Sequence, residues 1–207
     1  MRWIKIGWVV FIAVIYLALS AWYGGAGKPI SAEEGERLIS DYIEVHGEDD
    51  ESGLLRNIRD LIPRDDGNEF YAVNLERLKS GPDAEAADRA YADIVMPELF
   101  KRASHPVFLS TRKGLMLGEY GNQVDRVAVV RYRSLRDMIS MASSPAMVDG
   151  GDYKFAALEH TEVFITRPMI TFVQVRLILA LLLILLAIAG WKALSLMENR
   201  RAKRQTE

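Results

Sequence analysis

The chain has 207 residues, half of them hydrophobic, so it is long enough to bury the core of one ordinary domain and to carry further segments. It contains no cysteine, which excludes disulfide bonds, thiol catalysis and thiolate metal sites. The formal net charge of −2 is unevenly distributed: segment 25–168 has 18 Lys and Arg against 26 Asp and Glu, net −8, and the two ends together carry +6. An acidic centre argues against nucleic acid as a partner.

Two apolar runs near the ends of the chain predict membrane-spanning helices. Ile6 to Tyr23 and Leu177 to Trp191 contain no charged residue. Flanking residues extend the second run to Val173–Leu196, which reaches the about 20 helical residues that a bilayer core requires. The tryptophans support these spans because amphipathic rings prefer the membrane interface. All four lie at or near the ends of the runs: Trp3, Trp8, Trp22 and Trp191.

The basic residues beside the two runs predict their orientation. Arg2 and Lys5 precede the first run, and a basic tail follows the second. The positive-inside rule therefore places both termini in the cytoplasm, in a two-pass protein of the cell (inner) membrane with the lipid bilayer as a partner and the acidic centre outside. The alternative interpretation of the first run is a signal peptide, cleaved near Ala18, Ser20 and Gly24, which would leave one span.

These features divide the chain into five segments. They are an N-terminal transmembrane helix at 1–24, a helical segment at 25–67, an α+β domain at 68–168, a C-terminal transmembrane helix at 169–197 and a basic cytoplasmic tail at 198–207. In the helical segment, Ser31 and Glu34 have the spacing of a capping box, which predicts a helix that ends at Gly47. A second helix should run from an acidic start at Glu48 to Glu51 up to Pro63. This acidic start lacks the ligand spacing of a calcium loop.

The α+β domain has the element order β-α-β-β-α-β. Period-two patterns predict strands at 69–78, 105–114, 125–133 and 160–167. One helix is predicted at 83–103, where Pro97 should kink or restart it. A second follows Ser134, whose spacing to Asp137 is again that of a capping box, and the stretch 143–153 after it should be a loop. The order is that of the ferredoxin-like fold.

Both faces of the predicted sheet are apolar. In the first strand, Val73 and Leu75 point to one side and Phe70 and Ala72 to the other. A strand in a sheet with water on one side alternates hydrophobic and polar residues. We therefore expect other parts of the protein to cover both faces of this sheet. The two helices of a ferredoxin-like unit cover one face. The second cover is either the same sheet of another chain or the N-terminal helix pair.

Several stretches of this domain resemble an uncharacterised family, a domain of unknown function, in the dimeric α/β-barrel superfamily, whose relatives include the antibiotic-biosynthesis monooxygenases. The stretches are FYAVNLERLK, a tyrosine at Tyr91, VFLSTRKGLMLGE, DRVAVVRYRSLRDM and AALEHTEVFIT. The resemblance covers 69–167 and implies a homodimer in which two sheets pack face to face. The chain departs from the family at Val124, where Trp is usual, and at Lys154-Phe155, where His-Arg is usual.

Four polar residues form the candidate site for a small-molecule ligand, whose identity the sequence does not give. They are Asn74, Ser110 and Tyr132 on one predicted face, with Arg112 near its edge. We expect them to lie among the apolar side chains of Ala72, Phe108, Ala128 and Phe164. Such a mixture suits a small ligand. It suits hydrogen bonds across a dimer interface equally well, and the interface is the favoured interpretation.

Other polar residues give weaker signals. Arg131 and Arg133 should face away from Tyr132, as strand-end arginines paired with carboxylates rather than as an anion-binding site. The three histidines are too scattered to predict a metal site. No nucleophile elbow, phosphate loop or zinc-protease motif is present, so we expect no catalytic residues and no cofactor.

These observations favour a membrane-anchored, extracytoplasmic module for binding, sensing or scaffolding. The alternative is a small-molecule enzyme resembling the cofactor-independent α/β-barrel monooxygenases.

Overall fold

The computed structural model describes residues 2–25, 27–48, 53–171 and 174–204. Residues 202–204 are described by their backbone alone. Residues 49–51 of the predicted acidic helix start, and Val173 at the start of the second predicted span, lie outside the described residues. The chain divides into two compact units. The described residues of 1–23 and 170–207 form one unit, and Gly24–Met169 form the other.

The first unit consists of two helices, α1 (Arg2–Gly24) and α7 (Val175–Arg204). By length and composition alone, both helices could cross a membrane. They contact each other in antiparallel orientation. Lys5 Nζ lies 2.7 Å from Glu198 Oε2, and the Trp8 indole N–H donates to the Ala187 carbonyl oxygen at 3.2 Å.

The second unit contains a four-stranded antiparallel sheet. Its strands are β1 (Phe70–Leu78), β2 (His105–Thr111), β3 (Arg126–Tyr132) and β4 (Leu158–Thr166). Their order in the sheet is β2-β3-β1-β4. All four predicted strands are confirmed, with ends shifted by a few residues, and the topology is consistent with a ferredoxin-like fold.

Five α-helices accompany the sheet among the described residues of this unit. They are α2 (Ala32–His46), α3 (Leu54–Leu61) with a 3₁₀ turn at Ile62–Arg64, α4 (Pro82–Lys101), α5 (Leu135–Ala142) and α6 (Pro145–Ala157). Both predicted capping residues are confirmed, because the hydroxyls of Ser31 and Ser134 each accept the amide N–H three residues later at 3.2 Å. Gly47 ends α2 with φ of 79°, a conformation that favours glycine.

One prediction about helices is corrected, and another is narrowed. Most of the predicted loop at 143–153 is helical, because α6 begins with Pro145 at a position where its missing N–H costs nothing. Gly150 in α6 marks a close approach to α4, since a β-carbon there would lie 3.3 Å from Ile94 Cγ2. Of the two possibilities predicted at Pro97, a kink or a restart, the restart is excluded, because α4 is one helix from Pro82 to Lys101.

One core joins α2, α3 and α5 to the sheet. Its buried members include Ile58 and Ile139, which are fully buried, and Phe70 and Ala72 of β1. The N-terminal helix pair therefore packs on the same side of the sheet as α5. One of the two predicted covers for the second face of the sheet is therefore wrong: α2 and α3 pack on the first face and do not cover the second.

Polar contacts reinforce the packing of α2 on α5. Arg136 forms an ion pair with Glu34, and this hydrogen-bonded guanidinium lowers the pKa of Glu34. At the other end of α2, His46 Nε2 lies 2.7 Å from the Ala142 carbonyl oxygen. The helical segment at 25–67 is thus tied to the sheet domain by a shared core and by side-chain contacts.

Candidate functional site

Asn74 and Tyr132 lie on the face of the sheet that the helices cover. Asn74 is opposite Ala128 in the β1–β3 register, and its Nδ2 donates to the Ala128 carbonyl oxygen at 3.1 Å. The Tyr132 ring stacks on Phe70 with 5.3 Å between ring centroids. Burial raises the pKa of Tyr132, and the nearby Tyr91 of α4 raises it further. These two predicted residues share one face.

Ser110 lies on the opposite face, which corrects the predicted grouping. The β2–β3 register shifts between Pro106 and Phe108, so that Ser110 is opposite Val127 rather than Arg126. A slip of one residue moves every following side chain of the strand to the other face. Pro106 has no amide N–H and lies on an edge strand, where such an irregularity is tolerated.

Two further expectations about the candidate site are corrected. Phe164 is opposite Val73 in the β1–β4 register, so it lies on the face of Ser110 and not on that of Asn74. Arg112 follows β2 at an exposed position, where its amide N–H donates to the Asp125 carbonyl oxygen at 2.7 Å. The structure therefore does not bring the four predicted residues into one pocket.

A charged cluster that the sequence analysis missed lies between the sheet and α4. Arg126 Nε donates to Glu76 Oε2 at 2.5 Å, and its two terminal nitrogens donate to the two oxygens of Asp88 at 2.7 Å each. Glu76 is only 4% exposed. The Arg126 guanidinium holds the pKa of Asp88 below its ordinary range. Glu76 and Arg126 are opposite each other in the β1–β3 register, so a correct strand pairing predicts their contact. Nothing in the sequence predicts that Asp88 joins them.

Lys154 of α6 reaches the same region. Its Nζ lies 5.8 Å from the centroid of the Tyr91 ring, within the range of a cation–π contact. Burial lowers the pKa of Lys154, while Glu76 opposes that shift. Burial also raises the pKa of Tyr91 to about 12. Both groups therefore lie in a setting that disfavours charge, between the helices and the sheet.

The arginines at the end of β3 are structural. Arg131 is 1% exposed and donates to the Ala103 carbonyl oxygen at 2.7 Å and to Glu69 Oε2 at 2.5 Å. Arg133 pairs with Asp137 through two bonds of 2.7 and 2.6 Å. This confirms the interpretation that these arginines are strand-end residues paired with carboxylates.

The centre of the second face of the sheet is apolar and left open by the helices of the domain, whereas Tyr71 and Arg131 at one end of that face are buried. Phe108 and Phe164 are 55% and 44% exposed, and Val73 and Val129 between them are half-buried. The loop after β2 joins this side, because the Tyr120 hydroxyl donates to Glu162 of β4, and it exposes Met116 and Leu117 almost completely. Apolar side chains that are exposed together on one face are a common property of interaction sites.

Metal-binding geometry is absent from the part of the chain that the structure describes. No group of three or more His, Asp or Glu side chains there could hold an ion. His105 and His160 lie on β2 and β4, the two opposite edges of the sheet, so they do not converge.

Comparisons with known proteins support the fold. No family model matches the chain, and no curated protein matches it. A protein of unknown function from Rhodopseudomonas palustris is similar with a TM-score of 0.51 at 19% identity, over 56% of this chain and 94% of that one. Its methylated form has a TM-score of 0.51 at 18% identity, over 56% and 93%.

A cofactor-independent oxygenase from Streptomyces nogalater has a TM-score of 0.36 at 13% identity, over 51% of this chain and 97% of that one, too low to support an argument about activity. What the comparisons show is the fold alone: a mixed α/β domain whose four-stranded antiparallel sheet is consistent with the ferredoxin-like class.

Proposed function

We propose that this chain is a two-pass membrane protein that displays a homodimeric binding module outside the cytoplasm. The observation that carries the proposal is the open apolar face of the sheet, with Phe108 and Phe164 about half exposed. Leaving this surface in water is unfavourable, at about 25 cal/mol per Å² of apolar area. A partner that covers it would remove that cost.

A second copy of the same chain is the partner that fits best. The N-terminal helix pair, the other cover considered, already packs with Phe70 and Ala72 on the opposite side. A twofold interface needs a self-complementary patch, and a sheet face can pack on an identical face at about 10 Å separation. This arrangement would give the barrel-like dimer that the resemblance implies. We therefore propose a face-to-face homodimer centred on Val73 and Val129, which are opposite each other on the two central strands.

The membrane part of the proposal rests on the two terminal helices and on charge. We propose transmembrane helices at 1–24 and 169–197, a cytoplasmic basic tail at 198–207, and outside the membrane the helical segment 25–67 and the domain 68–168. The contacts of Lys5 with Glu198 and of Trp8 with Ala187 favour a retained first helix over a cleaved signal peptide, because cleavage would remove one partner of each pair.

Cross-linking tests the dimer directly because the chain has no cysteine of its own. A Val129→Cys variant in membranes should form a covalent dimer with a bis-maleimide of about 10 Å, since the two sheets would be too far apart for a disulfide. Ala92→Cys, at an exposed position of α4, is the matched control and should stay monomeric. Equal cross-linking of the two variants, or none at Val129→Cys, contradicts the proposal.

An enzyme resembling the cofactor-independent monooxygenases is the second candidate. The sheltered positions of Asn74 and Tyr132 on one face favour it, since directional polar groups among apolar walls suit a small substrate. Asn74→Ala and Tyr132→Phe should leave the cross-linked dimer intact in either case. If the parent chain turns over a small compound and both variants lose that activity, the enzymatic function is supported. If the parent chain shows no turnover of small apolar or aromatic compounds, the enzymatic function is contradicted.

A further inference from the structure

Lys154 differs from the other basic residues of the domain. Among the described residues of Gly24–Met169, it is the one lysine or arginine that is sheltered from solvent and yet forms no ion pair. Sheltered arginines such as Arg126 and Arg136 have carboxylate partners. Basic residues without a carboxylate partner, such as Lys28 and Arg64, are exposed. The Lys154 ammonium has the Tyr91 ring as a cation–π partner but no hydrogen-bond acceptor, and a sheltered ammonium is costly unless its hydrogen bonds are accepted.

The acidic groups near Lys154 are already engaged. Glu76 of β1 and Asp88 of α4 both accept hydrogen bonds from Arg126 of β3. The two carboxylates balance the charges of Arg126 and Lys154, but neither accepts a hydrogen bond from Lys154. Within the described part of the chain, the hydroxyls of Tyr91 and Tyr132 also have no hydrogen-bond partner. The Thr161 hydroxyl, on β4 opposite Glu76, is buried without one. The Lys154 ammonium has three donors and no acceptor, and each of these hydroxyls can donate one further hydrogen bond.

The helices cover one part of this face of the sheet less completely than the rest. Phe70 and Ala72 are 8% and 4% exposed, as expected for a covered face. Further along the same face, Asn74, Ala128 and Val130 keep more accessible surface although α4 and α6 lie on that side. Ile94 of α4 is half-buried and faces α6, since a β-carbon at Gly150 would lie 3.3 Å from Ile94 Cγ2.

We propose that the space between the sheet and helices α4 and α6 binds a small organic carboxylate with an apolar body, whose oxygens accept hydrogen bonds from the Lys154 ammonium. A carboxylate has acceptors and no donors, which complements the ammonium and can also accept from the hydroxyls, and the apolar body suits the half-buried side chains of Ala128, Val130 and Ile94. The assignment rests on the proposed role as a binding module, but it does not depend on dimerisation.

Calorimetric titration of the full chain in nanodiscs with benzoate, and with benzyl alcohol as its neutral counterpart, tests this site. Benzoate should bind and benzyl alcohol should bind at least about tenfold more weakly, the effect of one hydrogen bond to a charged group. Lys154→Met should weaken benzoate binding by about tenfold or more, and Lys154→Arg should preserve most of it. Lys79→Met removes an exposed lysine, whose Nζ contacts the Phe155 carbonyl oxygen, and should change nothing.

Benzoate affinity should also fall as pH rises through the pKa of Lys154, which burial places below the ordinary 10.5, because the neutral amine no longer attracts the anion. Lys154→Met should keep the thermal stability of the parent, since it removes a sheltered ammonium rather than a paired one. Equal binding of benzoate by Lys154→Met and the parent, or no binding of acetate, hexanoate or benzoate by the parent, overturns the assignment.

The failure of this site and the failure of the dimer are distinguishable. Lys154→Met in the Val129→Cys background should still cross-link if the dimer is correct. Benzoate binding in a chain that does not cross-link would support the site and contradict the dimer.

Discussion

The indole of Trp8 lies directly over Gly190 on the neighbouring helix. A β-carbon at position 190 would come within 2.3 Å of Trp8 Nε1 and 2.8 Å of its Cζ2, so only glycine allows this approach. The Trp8 N–H reaches the Ala187 carbonyl oxygen one turn earlier on α7. Helices α1 and α7 therefore pack closely through a small residue, a common way for membrane helices to associate.

Gly190→Leu should separate the two helices. Overpacking of this kind costs about 1–3 kcal/mol, and the variant should show a lower thermal midpoint in detergent than the parent. Gly7→Leu is the matched control, since a β-carbon at position 7 of α1 meets nothing within 4 Å. A Gly7→Leu midpoint as low as that of Gly190→Leu would show that the Trp8 contact has no special role.

The proposed topology predicts the activity of fused reporters. A reporter that is active only outside the cytoplasm should give signal when fused after Ser80, in the exposed turn between β1 and α4, because the basic ends keep both termini inside. The same reporter fused after Arg204 should be inactive. The opposite pattern would contradict the charge argument and place the domain in the cytoplasm.

Arg126 should be important for stability. Arg126→Gln leaves the carboxylate of Glu76 buried without its partner, and breaking a buried pair costs about 3–5 kcal/mol. Arg77→Gln is the control, because Arg77 and Glu159 are an exposed pair at 3.0 Å, which is worth about 0–1 kcal/mol. Denaturant unfolding of the two variants should show this contrast. Similar midpoints for both would mean that the cluster does not hold α4 on the sheet.

The same cluster predicts a dependence on pH. The folded-state pKa of Asp88 is lowered by Arg126 from its ordinary 3.8, so the pairing stabilises the fold above pH 3.8 and this contribution is lost as pH falls through the lower, folded-state value. The stability difference between the parent and Arg126→Gln should therefore narrow in that acidic range. A difference that stays constant from neutral pH to strongly acidic pH would contradict the assigned pairing.

Local signals in the sequence predict the elements well. The hydroxyl caps at Ser31 and Ser134 each satisfy a free amide group within one turn, so a short pattern is enough to predict the helix start. The paired glycines in the predicted loop at 143–153 mislead for a different reason. Gly150 lies at a tight contact of α6 with Ile94, where a β-carbon would come within 3.3 Å of Ile94 Cγ2, and in the sequence this packing feature resembles a turn signal.

The candidate site was harder to predict than the fold. The bulge after Pro106 reverses the faces of Phe108 and Ser110, and strand alternation alone contains no sign of it. The cluster around Arg126 joins residues 38 and 50 positions apart, so it depends on the packing of α4 on the sheet. Alternation correctly predicts one face for Asn74 and Tyr132, because β1 and β3 pair without an irregularity between these residues.

The mass of the intact chain, measured by native mass spectrometry after release from nanodiscs, tests the central claim most directly. The parent and Ala92→Asp, a change at an exposed position of α4, should both be dimers. Val129→Asp should be a folded monomer, because a charge at the centre of the open face is solvated in one copy and buried when two copies meet. A monomeric parent, or a Val129→Asp variant that remains dimeric, would contradict the account.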